Sequence, residues 1–402
     1  MRVAVLGGSS VATVQLAHAL ADWPGGDERR PPLEFALHGR NEAKLTAVTT
    51  CFARVAEHRA RVWSSLDLER VLAGADVVLV QVRVGGLAAR SFDESFPWLA
   101  GLPGEETLGP GGFANALRTV QALEQTWPHL RRVCPEAIVV ILTNPAGIVR
   151  QAAARHGLRA VEVCDSPITF VDSVAARLGR RAADVGRRYC GMNHVGWYTP
   201  EGASELEALA SDQALGTDVV LAHRAVPLGY LRYYLDQDRI FDAQQGRPTR
   251  AEQLMEIEAA ALRRLAAGET PDAYERPAPW YRLGIVPTLD GLANGSETLM
   301  ILGCANTGRI ATLPNEATIE GPTRLPGRGR IEPLEVVPLP AIPSALLYRH
   351  ATYEQLAIEA AAWPDRTRIL AALLANPMVA TARQAEALTE VLLQPSDGPK
   401  PA

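Results

Sequence analysis

The chain of 402 residues is 47% hydrophobic and 21% charged, with a formal net charge of -5, a composition that can fill two cores and offers no basic field for nucleic acid or an anionic membrane. Its five cysteines are scattered and odd in number, without a Cys-x-x-Cys pair, which points to a reducing cytoplasm and away from a disulfide framework or zinc ribbon. The opening MRVAVLGGSS reads as strand and turn rather than signal peptide, and no apolar stretch has membrane-spanning length.

Residues 3–6 form a continuous apolar run that ends in Gly7-Gly8-Ser9-Ser10, and a helical pattern follows over 11–21. Buried strand, tight turn and helix N-terminus together make a pyrophosphate cradle. The glycine fingerprint is incomplete, because Ser9 stands where a further glycine could. A second strand is expected over 34–37. The acid that usually ends it and holds the ribose hydroxyls is missing; His38, Gly39 and Arg40 follow instead. Arg40 is either a solvated loop residue or a partner for adenine or a 2′-phosphate, so NADP stands beside NAD as an option.

Helices are expected over 41–61 and 66–72, then a fully apolar strand over 77–80. This alternation indicates a doubly wound parallel sheet. Residues 82–112 read as one long irregular segment carrying Arg90, Asp93, Glu94, Glu105 and Glu106, a substrate loop in character. A helix over 113–131 leads to a strand over 137–142 that ends in Thr143-Asn144-Pro145. Asn144 there could orient a sugar hydroxyl or merely cap the next helix.

A short strand over 160–163 delivers Cys164 to the end of the sheet where α/β folds bind ligands. His194 lies 30 positions later in a Gly-Met-Asn-His loop. Thiolate and imidazole are good ligands for a divalent transition metal, and two of them leave positions for substrate and water. The plain alternative is a packed free cysteine and an ordinary loop histidine.

Beyond His194 the alternation fades. Helices are expected over 204–214, with Ser204 as N-cap, over 218–235, and over 250–267. The second carries Tyr230-Leu231-Arg232-Tyr233-Tyr234, a cluster that on general grounds is more often core than chemistry. Strands are expected over 298–304 and 309–313, loop with extended pieces over 322–343, and helices over 344–376 (broken near Pro364) and 381–393. The division expected is a Rossmann-like dinucleotide-binding domain over 1–165, a mainly helical α+β domain for substrate, metal and oligomerisation over 166–393, and a disordered tail over 394–402.

Six segments, VGGLAAR, GEETLGPGGFANALR, LTNPAG, VCDSPITF, GMNHVGWY and YLRYYL, occur in that order. With them the chain resembles glycoside hydrolase family four, the NAD- and manganese-dependent glycosidases, and most of all its 6-phospho-β-glucosidases. The resemblance implies a lactate/malate dehydrogenase-like fold. It puts the metal on Cys164 and His194, makes Tyr230 the catalytic base and gives Glu106 the task of raising its basicity. Arg90, Asn144 and Arg250 hold the phosphorylated sugar, and the turn Gly7, Gly8, Ser9 and Ser10 matches the nucleotide loop; His38 and Arg40 are expected at the dinucleotide from their position after the second strand. The implied route is oxidation at C3, removal of the C2 proton, elimination at C1, addition of water and return of the hydride, unlike the two-carboxylate route of most glycosidases. A homodimer or homotetramer follows by analogy only.

Four positions depart from the family pattern. His38 replaces an acid, Ser9 a glycine and Glu105 a glutamine. Asp165 stands where β-specific members carry asparagine. In α-specific members an aspartate there is the proton donor, so 6-phospho-α-glucosidase is the first alternative; a helix cap or sugar-hydroxyl ligand is the plain account of Asp165. The remaining alternatives are a 2-hydroxy-acid dehydrogenase and a non-catalytic sensor of sugar phosphate and dinucleotide.

Overall fold

Six parallel strands build the first half of a single sheet: β1 (Arg2–Leu6), β2 (Leu33–His38), β3 (Ala60–Ser65), β4 (Val77–Val80), β5 (Ile138–Ile141) and β6 (Arg159–Glu162), in the order β3-β2-β1-β4-β5-β6. The computed structural model describes residues 1–23, 33–211, 215–271 and 278–394. The expected tail therefore lies, from 395 onward, outside the described residues, as do the last three positions of the helix expected over 204–214. The central strands VVLV and IVVI are buried along their whole length, as strands covered by helices on both faces must be. The strand order reverses between β1 and β4, and the crevice at their carboxyl ends is where such a sheet accepts a ligand.

The sheet does not stop at β6. It continues through β10 (Ser296–Ala305) and β11 (Thr318–Gly327) to β7 (Tyr189–Met192), β8 (Val195–Tyr198) and β9 (Val226–Pro227), with β12 (Arg330–Pro333) paired to β11; these later pairings are antiparallel. The rest of this half is helical, so the class is a Rossmann-like doubly wound sheet with a mainly helical α+β portion appended. No helix among the described residues is long and apolar enough to cross a membrane.

Several expected elements are corrected. The helix expected over 41–61 ends at Val55, and β3 follows within the same stretch. The segment 82–112 is largely helical, with Gly86–Ser95, a 3-10 turn at Phe96–Ala100, and a helix that already begins at Gly109. The helix expected over 218–235 is broken by β9, because Pro227 and Gly229 interrupt it. Residues 309–313 form a turn, not a strand. Asn306 Nδ2 donates to the carbonyls of Ile310, Leu313 and Pro314, and its Oδ1 accepts from Ile310 N. Gly202, not Ser204, occupies the N-cap of Ala203–Ala210.

Candidate active site

A cleft of about 750 Å³ runs across the carboxyl ends of the parallel strands. Its walls include Gly7, Ser9, Ser10, His38 and Arg40 at one end, and Arg90, Glu106, Asn144, Cys164, Asp165, His194, Tyr230 and Arg250 toward the other. Among the residues given a role by the resemblance, Gly8 alone does not line the cleft.

The dinucleotide end is shaped by close backbone approach. Gly7 has φ +91, and a Cβ there would sit 2.8 Å from the Gln81 carbonyl oxygen, so only glycine fits. Gly8 donates its N–H to the His38 carbonyl at 2.7 Å. Ser9 fills the space beside Gly39, where a Cβ would meet Ser9 Cβ at 2.7 Å. Gln81, just past β4, locks the turn from below: its Nε2 donates to Thr13 Oγ1 at 2.8 Å and its Oε1 accepts from Tyr281 OH at 2.9 Å. The result is a cradle whose backbone is free of side-chain bulk, which fits a pyrophosphate. His38 Nε2 lies 3.2 Å from the Leu66 carbonyl. Burial, and then the Arg40 charge, lower its pKa even though that hydrogen bond opposes them, so the ring is a neutral wall rather than a cation.

His194 sits in the two-residue turn between β7 and β8 with φ +64. The preceding Asn193 ties this turn down, its Oδ1 accepting from Ala146 N at 3.2 Å. The His194 ring stacks on Tyr230, with centroids 3.9 Å apart and planes inclined by 19°. Its Nδ1 is buried without a hydrogen-bond partner. Burial brings its pKa down to about 4, leaving the neutral imidazole that metals require. Cys164, two residues past β6, has its thiol pushed well up by burial and by the charges of Glu320 and Asp165. Burial also raises the Tyr230 phenol, with Glu105, Cys164 and Glu106 adding to the effect. Thiol and phenol are both buried among negative groups, and a cation beside them would favour the anionic form of each. A soft thiol and an imidazole with an unpaired nitrogen fit a divalent transition metal. Among the described residues no three His, Cys, Asp or Glu side chains gather to hold an ion, so an ion on this pair would draw further ligands from outside the chain.

Asp165 stands at the N-cap of the helix Ser166–Leu178, but its side chain makes no capping bond. The helix-cap account is thereby removed. Burial raises its carboxyl pKa, which favours the protonated form. Asn144 likewise is no cap, since Pro145 occupies that position for the helix Ala146–Arg155.

An ion network closes the far end. Arg90 Nε meets Glu94 Oε1 at 2.6 Å, and its Nη1 meets Glu106 Oε1 at 2.9 Å. The other Glu106 oxygen pairs with Arg83. Burial alone would raise the Glu106 carboxyl, but Arg83 and Arg90 outweigh it and hold it at about 2. Its neighbour Glu105 goes the other way, to about 7, through burial and the adjacent Glu106 charge. Glu94 Oε2 also accepts from Ala251 N at 2.7 Å, which brings the helix Arg250–Ala266, and with it Arg250, up to Arg90. Arg83 was missed in the sequence, although its place three residues past β4 is a ligand-facing one.

The model of the family 4 glycosyl hydrolases matches residues 2–180, and that of the family 4 C-terminal domain matches residues 189–379. Phospho-α-glucosidase PagL of Clostridium acetobutylicum is 26% identical, with 98% of each chain covered. The 6-phospho-β-glucosidase BglT of Thermotoga maritima is 28% identical with the same coverage. The Thermotoga enzyme, solved with NAD and glucose-6-phosphate, superposes with a TM-score of 0.86 over 98% of both chains at 28% identity; it has also been solved with manganese, NAD+ and glucose-6-phosphate. A lactate dehydrogenase of Trichomonas vaginalis, at 14% identity, a TM-score of 0.55, and coverage of 90% of this chain and 98% of its own, shares the fold alone.

Proposed function

The chain belongs to family 4 of the glycosyl hydrolases, and from that premise we propose that it hydrolyses 6-phospho-β-glucosides with Tyr230 as the base. The observation that carries this reading is the stacking of Tyr230 on His194 within electrostatic reach of Cys164. NAD+ and a divalent metal such as Mn²⁺, when bound, supply a reversible hydride acceptor and a Lewis acid for the sugar oxygens. Cys164 and His194 hold the metal. Arg90 and Arg250 grip the 6-phosphate, the guanidinium fork matching its oxygens, and Asn144 orients the sugar. Arg90 exchanges its present carboxylate partners for the dianion. Tyr230, as phenolate, takes the C2 proton. Glu106, fixed as an anion, and Glu105 beside it strengthen that phenolate as a base. Asp165, whose carboxyl pKa is raised by burial, delivers a proton to the departing C1 oxygen.

Asp165 favours a second reading. A proton donor at this position is the α-specific pattern, and the relatives include enzymes named for both anomers. The test is turnover of nitrophenyl 6-phospho-β- and 6-phospho-α-glucosides with Mn²⁺, a reductant and either NAD+ or NADP+, with C2 exchange followed in D2O. Faster turnover of the β anomer is expected, together with C2 deuteration that Tyr230→Phe abolishes. A preference for the α anomer selects the second reading, and normal exchange in Tyr230→Phe reassigns the base. Inactivity on every phosphosugar marks a sensor; reduction of pyruvate or oxaloacetate marks a dehydrogenase.

A further inference from the structure

We propose that the adenosine end of the cleft is a 2′-phosphate subsite built by Arg40 and Lys44, so that the chain takes NADP in preference to NAD. This rests on the dinucleotide reading above and deepens it.

No acid stands at the end of β2. In sheets of this kind an acid at the end of the second strand accepts hydrogen bonds from the adenine ribose hydroxyls and selects NAD, while an arginine nearby accommodates a 2′-phosphate. Here β2 ends at His38, whose ring is engaged with the Leu66 carbonyl. Gly39 follows, and its Cβ position lies 2.7 Å from Ser9 Cβ and 2.8 Å from Ser9 Oγ. No side chain can stand at Gly39 without displacing that of Ser9 in the nucleotide turn. The residues that line this end of the cleft are His38, Gly39, Arg40, Asn41 and Lys44, and none of them is a carboxylate. A plain ribose diol would find no charged acceptor among them.

What is there suits an anion. Arg40 and Lys44 are both exposed, and both line the cleft within five residues of one another. Asn41 Oδ1 accepts from Lys44 N at 2.9 Å and caps the helix Glu42–Val55, which fixes the backbone between the two cations. That helix runs 14 residues, and the partial positive charge of its first turn adds to theirs, offset in part by Glu42, which stands in that turn but does not line the cleft. A guanidinium and an ammonium flanking a capped helix start suit the oxygens of a phosphate.

The test is titration calorimetry of the full chain with NADP+ and NAD+, read as the ratio of the two dissociation constants. NADP+ is expected to bind roughly tenfold or more tightly, the effect of one or two charge-assisted hydrogen bonds. The Arg40→Ala, Lys44→Ala double variant should bring the ratio close to one, Arg40→Asp should tip it toward NAD+, and added salt should narrow it in the wild type. Both side chains are exposed, so these changes leave the fold in place. NAD+ binding as tightly as NADP+, or a ratio unmoved in the double variant, overturns the subsite and leaves the dinucleotide reading standing. Failure of the wild type to bind either dinucleotide overturns both.

Discussion

Glu105 and Glu106 are neighbours in sequence, both buried, and their carboxyls are driven in opposite directions. Glu106 has two arginines as direct partners; Glu105 accepts from the N–H groups of Thr107 and Leu108, at 2.6 and 2.5 Å on its Oε2, and feels the Arg90 charge more weakly. Those two bonds favour its charged form but are outweighed by burial and by the Glu106 charge, and its pKa rises from 4.5 to about 7. The native state therefore holds a proton that the unfolded chain releases between pH 4.5 and 7. Stability is fully present below 4.5 and falls as pH rises through that window, by roughly 3 kcal/mol at about 1.4 kcal/mol per pH unit. Glu105→Gln keeps an acceptor for both N–H groups and removes the titration. Urea unfolding should find the variant more stable than wild type at pH 8, with the difference shrinking as pH falls and gone near 4.5. An unchanged or lower stability at pH 8 would show that the charge of Glu105 is compensated by something other than these bonds.

At the level of elements, the strands that were legible were the ones that are buried on both faces. Runs such as VVLV and IVVI can be nothing else in a chain of this pattern. β3, ARVWSS, is only partly buried, so it carries little apolar signal, and the helical period before it ran on through it. β11 was hidden by Pro322 and Pro326, residues that normally argue against an interior strand; its pairing with β10 nevertheless persists, with Pro322 opposite Ile301. In the site, residues delivered by strand ends were readable from position, among them Cys164 and Asn144. The ties that bring Arg90 to Arg250 were not, because Glu94 and Ala251 meet across 157 positions of sequence. One such element can be probed directly. The helix Arg250–Ala266 begins with a complete capping box between Thr249 and Glu252. Thr249→Ala leaves its first turn short of a partner and should cost about 1 kcal/mol of stability. Since Arg250 is the first helical residue, KM for the 6-phosphosugar should rise while kcat stays near wild type. A fall in kcat with KM unchanged would mean that this helix serves the reacting atoms rather than the phosphate.

For the whole molecule, the decisive feature is that the sheet and its core run straight across the boundary expected at residue 165. β10 pairs with β6, with Gly303 opposite Glu162. A Cβ at Gly303 would lie 2.4 Å from Glu162 Oε2, so the two halves meet there without spare room. The hydrophobic core over one face of the parallel strands includes Val3, Phe35 and Leu79 from the first half and Leu265, Ile285, Leu289 and Leu302 from the second. Arg54 Nη1 also donates to the Gly268 carbonyl at 2.8 Å. A fragment ending at residue 165 would therefore leave the edge of β6 unpaired and part of that core open to water, both conditions that favour association over folding. The expected behaviour is that residues 1–165, expressed alone, bind a hydrophobic dye and show no sigmoidal unfolding by circular dichroism. The full chain should lose far-ultraviolet signal and tryptophan emission in one coincident transition. A fragment that unfolds cooperatively and still binds the dinucleotide would make the first half an independent domain. In that case the continuity of the sheet would be a matter of docking rather than of folding.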